Sequence, residues 1–548
     1  MASGNTAHPA GPAGDPPRGA WLWTGLALLG LALLYGGLCL TAEPVSFGGD
    51  ADAFRVAESA LGLTRGRYIP SRLPGYPLHE RLVALVVDPE NAVPAKLVSA
   101  AFAFLAVAAF ALILNRRRRT VLPPALLVLA FGLWPALVRS SFVVMDYPLG
   151  LALFLCSLLG LLAAGERERS WPYVLLAGIC AGLAVAARLG YALYGVSVGL
   201  VMVMQWLRNR EERATWGRHL LVFLAGSLAG LPFFIPLFAE YGVSFLTYYA
   251  VLRWEWTDFL YHNGVLYVRL FSHVAVLAGL LIFLVRDGRR GLLRRWCTRS
   301  PVIGGAVVFV FLMVLFHLNK PYEAEYLLPV VPVMLLYLGT RPAGYGRAGR
   351  WGTVLLLAAV ASGNVLTPDL KLAAGAGRDS AAVSWAEGLT VREFEAQADD
   401  GHVYPVMTAV RQRPRFITLF EERFGVHPPD VDAVWLVGYS FYVRRHVWLH
   451  DLPMFLVDDS ILVTRNPEPY VFIVLPYERF VEPLRAHFRT APDGRPGRVL
   501  LVFRHPAAAR EFAPLFRKVP GPSGPPHLQS VTILRESRPS AAFRETMR

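Results

Sequence analysis

Cysteine is scarce in this sequence, and so is charge. Four cysteines occur in 548 residues: Cys39, Cys156, Cys180 and Cys297. None lies beyond Cys297, so the C-terminal stretch has no disulfide framework. Charged residues make up 17% of the chain against 54% hydrophobic, and the mean hydropathy is +0.41. That is more apolar surface than a soluble globular chain carries. Acids are the scarcer sign, 40 Asp and Glu against 54 Lys and Arg, which leaves a formal net charge of +14. The arginines do not gather on one basic face, which argues against a nucleic-acid binder. They punctuate apolar runs, the arrangement that orients a membrane protein. No internal repeat is visible.

What the chain does have is apolar runs of membrane-crossing length. About eleven are present, each near the length of a hydrocarbon core or somewhat short of it. They fall at 20–42, 93–114, 120–138, 143–164, 171–187, 190–207, 219–239, 264–285, 301–318, 326–340 and 351–366. Residues 1–19, rich in Pro, Gly and Ala, form a disordered lead. The run Trp21 to Leu40 reads as a retained anchor helix rather than a cleaved signal.

Basic clusters occupy alternate connections: Arg116 to Arg119, Arg167/Arg169, Arg208 to Arg218, Arg286 to Arg299 and Arg341 to Arg350. The positive-inside rule places these in the cytoplasm, together with the N-terminus. The connections 43–92, 139–142, 188–189, 240–263 and 319–325 are then outside, as is everything after Leu366. The long loop 43–92 carries arginines of its own and is the connection that fits the rule least well. An inner-membrane, multi-pass protein is expected. A membrane module over 20–366 is followed by a linker over 367–378 and a soluble extracytoplasmic α/β domain over 379–548. Short β-rich runs at Val434 to Val437, Tyr470 to Leu475 and Val499 to Phe503 alternate there with helix-like stretches.

Candidate chemistry concentrates in the outer connections. In the first, Asp50 and Asp52 stand at the start of a short helix expected over Asp52 to Leu63, where they can act as caps. Further on, Tyr68-Ile69-Pro70-Ser71-Arg72-Leu73-Pro74-Gly75-Tyr76-Pro77 follows a path held by its prolines, and this rigid segment places Arg72. Asp146 lies just inside an apolar run, where an ionisable group is costly and marks function. Its simplest structural role is an ion pair with Arg139. Arg188 interrupts two tight spans in the same way. The connection 240–263 holds Arg253-Trp254-Glu255-Trp256-Thr257-Asp258 and His262, whose acids and histidine have no specific metal-ligand spacing. Lys320 is the one cation of its connection and suits a phosphate. It precedes Tyr326-Leu327-Leu328-Pro329-Val330-Val331-Pro332, a span that two prolines are expected to kink.

Four features taken in order resemble the GT-C superfamily of integral-membrane glycosyltransferases. They are the acidic first loop with Asp50 and Asp52, the phrase Arg72-Leu73-Pro74-Gly75-Tyr76-Pro77, the second acidic site Asp146-Tyr147-Pro148, and Tyr326-Leu327-Leu328-Pro329. The resemblance covers roughly 20–366. It is nearest to the bacterial branch of protein mannosyltransferases and lipid A aminoarabinose transferases. One departure is the separation of the two first-loop acids by Ala51, where that branch often has them adjacent.

The resemblance implies a polytopic GT-C-like helical fold and an inverting transfer of a sugar at the outer face. The donor would be a polyprenyl-phosphate sugar, and the acceptor a hydroxyl of a glycan, lipid or protein. Membrane lipids surround the enzyme and nucleic acid has no part. In this reading Asp50 is the base, with Asp52 and Asp146 as supporting acids. Arg72, Arg188 and Lys320 serve the phosphate, while Tyr76, Glu255, His262 and Tyr326 bind substrate. A divalent cation is compatible but not demanded. Two other classes fit many spans with charged loops: a flippase for lipid-linked sugars, and a membrane-anchored sensor. The first would place charges along a path to both faces. The second leaves the acidic loop and Asp146 unexplained.

Overall fold

A computed structural model of the chain describes residues 18–42, 47–48, 51–66, 68, 70–71, 75–88, 91–116, 120, 122–167, 170–243, 300–319 and 324–340. Beyond these it describes seven strands after residue 366. The expected spans 264–285 and 351–366 lie outside the described residues, as do Tyr470 to Leu475 and the helix-like stretches of the C-terminal region.

The regular secondary structure described before residue 341 is helical. In order the helices are α1 (Arg18–Thr41), α2 (Ala51–Thr64), α3 (Pro77–Ala84), α4 (Val93–Arg116), α5 (Pro124–Gly132), α6 (Pro135–Ser141), α7 (Tyr147–Ala164) and α8 (Trp171–Ala187). They continue with α9 (Ala192–Arg208), α10 (Arg213–Ser227), α11 (Leu231–Tyr241), α12 (Pro301–Asn319) and α13 (Val330–Thr340). A chain that is apolar all round must satisfy its backbone groups within each segment once water is gone, and a helix does this. Among the described residues, five helices are long and apolar enough to cross a membrane, or six if a bent pair counts as one.

Prolines account for most departures from the expected spans. The run 120–138 is two helices, α5 and α6, bent by 62° at Leu133–Trp134. Pro135 lacks the N–H that would continue α5, but it suits the first turn of α6. The run 326–340 does not form one kinked helix from its start. Residues Ala324–Leu327 make a 3-10 turn, and α13 begins only at Val330, just after Pro329. The short helix expected over Asp52 to Leu63 is α2.

α7 is the centre of the bundle, with Leu151, Phe154, Leu155, Leu158 and Leu161 all buried. α4, α8, α6 and α12 pack against it. α1, α9, α10 and α11 instead expose large apolar side chains such as Trp23, Leu33, Leu200, Leu221 and Ile235, the surface that lipid would cover. α8 and α10 meet backbone to backbone. A Cβ on Gly178 or Gly182 would run into the carbonyls of Phe223 and Ser227, and one on Gly230 into that of Gly182. Small residues permit this close approach, which favours van der Waals packing where no hydrophobic drive separates helix from lipid.

The alternation of faces is visible in the contacts. On one face, the near face, α1 and α8 end while α4 and α7 begin; Cys39 of α1 donates to the Ser141 carbonyl of α6 there. On the far face Arg116 pairs with Glu166 at 2.6 Å and Ser170 bonds His219 at 2.7 Å. Among the described residues, Phe47 and Gly48, 139–142, 188–189 and the turn Ala324–Leu327 thus share the near face.

After residue 366, β1 (Thr367–Leu372) and β2 (Val383–Thr390) pair antiparallel. β3 (Ala433–Val437), β4 (Met454–Val457), β5 (Val499–Phe503), β6 (Arg517–Val519) and β7 (Val531–Arg535) form a mixed sheet in the order β4-β3-β5-β7-β6. Two of its strands, β3 and β5, fall on runs that the sequence marks as β-rich.

Candidate active site

Asp146 and Arg188 form the centre of the near face. Asp146 is the residue before α7, and its side chain does not cap that helix. It accepts from Nη1 of Arg188 at 2.8 Å. Arg188 ends α8 by leaving the helical region, at φ −157° and ψ 118°. An acid at a helix N-terminus and a cation at a helix C-terminus are each favoured by the helix dipole, so both ends of the pair gain from where they sit. The Asp146 side chain is fully buried and that of Arg188 is 11% exposed. Charges this deep are tolerated only when paired and hydrogen-bonded.

Three tyrosine rings complete the cage. Nη2 of Arg188 donates to the Tyr147 hydroxyl at 3.0 Å, and the guanidinium carbon lies 3.9 Å from the Tyr147 ring centroid. It lies 4.8 Å from the Tyr326 ring and 5.5 Å from the Tyr76 ring. A desolvated cation over an aromatic face gains about 0.5–2 kcal/mol per ring. These rings come from three separate segments: the start of α7, the 3-10 turn before α13, and the turn before α3. Below them Phe154, Tyr194 and Phe309 pack ring to ring with centroids 4.8–5.4 Å apart.

Two further contacts hold the walls. Arg139 of α6 pairs with Glu325 at 3.4 Å, which fixes the turn that presents Tyr326. The Val144 N–H donates to the Phe47 carbonyl at 2.9 Å and brings the first connection against the segment that carries Asp146. Gly48 follows with φ 139°, and a Cβ there would lie 2.5 Å from Val143 Cγ1. Only glycine allows both that backbone angle and that approach.

The predicted site residues divide as follows. Asp146, Arg188, Tyr76 and Tyr326 converge in one cage. Asp52 lies in the first turn of α2. Asp50, Arg72, Glu255, His262 and Lys320 lie outside the described residues. The expected pairing of Asp146 with Arg139 is corrected: Asp146 pairs with Arg188, and Arg139 takes Glu325. Among the described residues no three His, Cys, Asp or Glu side chains gather as a metal site.

Reasoning from sequence missed several participants. Lys96, in the first turns of α4, is 1% exposed. A lysine inside an apolar run was the available signal. Glu80 and His79 of α3 are fully buried, outside the spanning segments. Burial raises the Glu80 carboxyl above its ordinary range, opposed by its hydrogen bonds to Ser71, Tyr68 and Tyr76. Burial also holds the His79 imidazole neutral, down to about 3.

The helical bundle that carries this buried acid and arginine shares its fold with solved structures of ArnT. ArnT from Cupriavidus metallidurans bound to undecaprenyl phosphate superposes with a TM-score of 0.57 at 14% identity, over 94% of this chain and 98% of that one. The same protein in the apo state gives 0.56 at 12% identity over the same shares. No family model and no curated protein matches the sequence, so the likeness is one of fold.

Proposed function

We propose that the chain is an inverting glycosyltransferase that moves a sugar from a polyprenyl-phosphate donor to a hydroxyl acceptor at the outer face of the membrane. The observation that carries this reading is the buried Asp146–Arg188 pair, enclosed by Tyr76, Tyr147 and Tyr326 at the near face. A buried ion pair inside an apolar bundle is expensive to form, and its place at one mouth favours a site over a transport path. The ArnT likeness supports the donor class, since that structure is described as bound to undecaprenyl phosphate.

The chemistry needs a base on one side of the anomeric carbon and charge stabilisation on the other. The acceptor oxygen bonds to that carbon as its bond to the phosphate oxygen breaks. The hydroxyl proton passes to the base, and polyprenyl phosphate leaves. Asp50 is assigned as the base, with Asp52 and Asp146 orienting the acceptor or holding the cations. The backbone bridge from Phe47 to Val144 supports this, because Asp50 and Asp146 each follow it by two or three residues. Arg72, Arg188 and Lys320 are assigned to the phosphate, where guanidinium and ammonium donors meet developing negative charge. Tyr76 and Tyr326 line the donor pocket, and Glu255 and His262 the acceptor side. The region 379–548 is assigned to the same outer side.

Membranes that contain the chain are incubated with labelled polyprenyl-phosphate sugars and the labelled product is identified. Asp50→Asn is expected to abolish transfer while the protein stays in the membrane. Full activity in that variant would remove Asp50 as base.

A further inference from the structure

Glu80 makes contacts that neither the ion pair nor the helix packing requires. Its two carboxylate oxygens accept from donors in the segment ahead of α3, the Tyr76 backbone among them. The Tyr68 hydroxyl donates to Oε2 at 2.5 Å, and the Ser71 N–H donates to Oε1 at 2.9 Å. The carboxylate thereby closes a loop from Tyr68 to Glu80 that contains Pro70, Pro74 and Pro77. Gly75 makes the turn at φ 85°. A Cβ there would lie 3.2 Å from Leu237 of α11, 3.3 Å from Pro70 and 3.4 Å from the Tyr68 hydroxyl. Gly75 is therefore packed closely among Pro70, Tyr68 and Leu237 of α11. The next residue is Tyr76, 3% exposed, whose ring faces Arg188.

A fully buried carboxylate is costly, and it is retained where its lone pairs meet donors. Glutamine replaces it only in part: with its oxygen on the Ser71 N–H, its amide meets the Tyr68 hydroxyl, which must then accept instead of donate, and the charge that strengthens both bonds is lost. Aspartate is shorter by one methylene.

We propose that Glu80 is a positioning residue for the cage: its carboxylate clasps residues 68–71 and so sets Tyr76 over Arg188. By sequence, Arg72 lies within the clasped loop. The role assigned to the cage rests on the donor-site reading above; the clasp itself does not.

The test uses the full-length protein in detergent and compares Glu80→Gln, Tyr68→Phe and the double variant. Amide hydrogen exchange over 68–76, the thermal midpoint, binding of undecaprenyl phosphate and the KM and kcat for a polyprenyl-phosphate sugar are measured. Glu80→Gln is expected to speed exchange at 68–76 about tenfold, the loss of one net hydrogen bond to a charged group. Exchange in the bundle helices and the thermal midpoint stay close to wild type. The donor KM rises several-fold while kcat changes little. Tyr68→Phe in the Glu80→Gln background adds nothing further, because the two residues act as one unit. Faster exchange throughout the bundle with a lowered midpoint would mean a merely structural Glu80 and overturn the proposal. So would an unmoved donor KM. If the wild type itself neither binds nor transfers, the donor-site reading falls, and with it the role for Tyr76. Unchanged exchange at 68–76 sinks the clasp whatever the activity.

Discussion

Along α8 two means of holding a membrane bundle together follow one another within a few residues. At Gly178 and Gly182 the helix meets α10 and the turn after it with no side chain between the backbones. About 9 Å further along the axis, at Arg188, it ends in a buried guanidinium held by one acid and three tyrosine rings. The first contact is cheap to form in lipid, since it needs only small residues and close shape. The second is expensive, since two charges leave water. A bundle that needed only stability could be built throughout in the first way. The costly arrangement stands at the mouth, beside Tyr76 and Tyr326, and the proposed chemistry would be a reason to retain it.

The largest expected effect is that of breaking the ion pair on one side. Asp146→Ala leaves Arg188 buried without its carboxylate and is expected to cost about 3–5 kcal/mol, read as the thermal midpoint in detergent. Asp146→Leu combined with Arg188→Met is expected to recover most of that loss while transfer stays abolished. A double variant as unstable as Asp146→Ala would show that the pair is there for packing.

Next comes the seam. Gly182→Ala puts a methyl against the Ser227 carbonyl and must push two backbones apart, at about 1–3 kcal/mol. Activity per folded molecule is expected to match wild type, the opposite of the double variant above. A loss of activity at unchanged stability would mean that the seam shapes the site.

The third effect is set by pH. His79 is neutral in the folded protein down to about 3, whereas an unfolded chain protonates it near 6.5. Unfolding therefore takes up a proton below about pH 6.5, and stability falls as pH drops towards 3. The limiting slope is about 1.4 kcal/mol per pH unit. Glu80 has the opposite sign: its raised carboxyl favours the folded state in acid and loses that advantage as pH rises. Comparing wild type with His79→Leu isolates the histidine. The variant is expected to lose less stability between pH 6.5 and 5, and equal curves would contradict a buried neutral ring. The smallest effect is that of Arg139→Gln. It breaks a pair that is 12% and 8% exposed at 3.4 Å, and is expected to lower stability by about 1 kcal/mol or somewhat more, with a larger effect on donor KM through Tyr326.

Much of the bundle was legible. Apolar length marked α1, α4 and α7, and the alternation of arginines marked which connections share a face. The breaks were less so. Pro135 could have been read as a helix start, but run length alone joined α5 and α6 into one span. The site was legible by residue type and not by partner. Asp146 and Arg188 each stood out as a charge in an apolar run. Arg139 was the nearer cation in sequence, yet the partner is 42 residues away. Glu80 was overlooked because a charged residue in a polar connection gives no sign that it is buried.

The sequence by itself marked the apolar runs that became α1, α4 and α7, and marked Asp146 and Arg188 as charges set in apolar runs. Hydrocarbon length and charge placement are properties of the chain, and they act locally. Which charge meets which was decided only when α7 and α8 packed. That packing put the start of one helix beside the end of the other, carried Tyr76 and Tyr326 in from distant segments, and left Arg139 to Glu325. Ion pairs in a dry bundle depend on the approach of helices, and no periodicity within a single run records it.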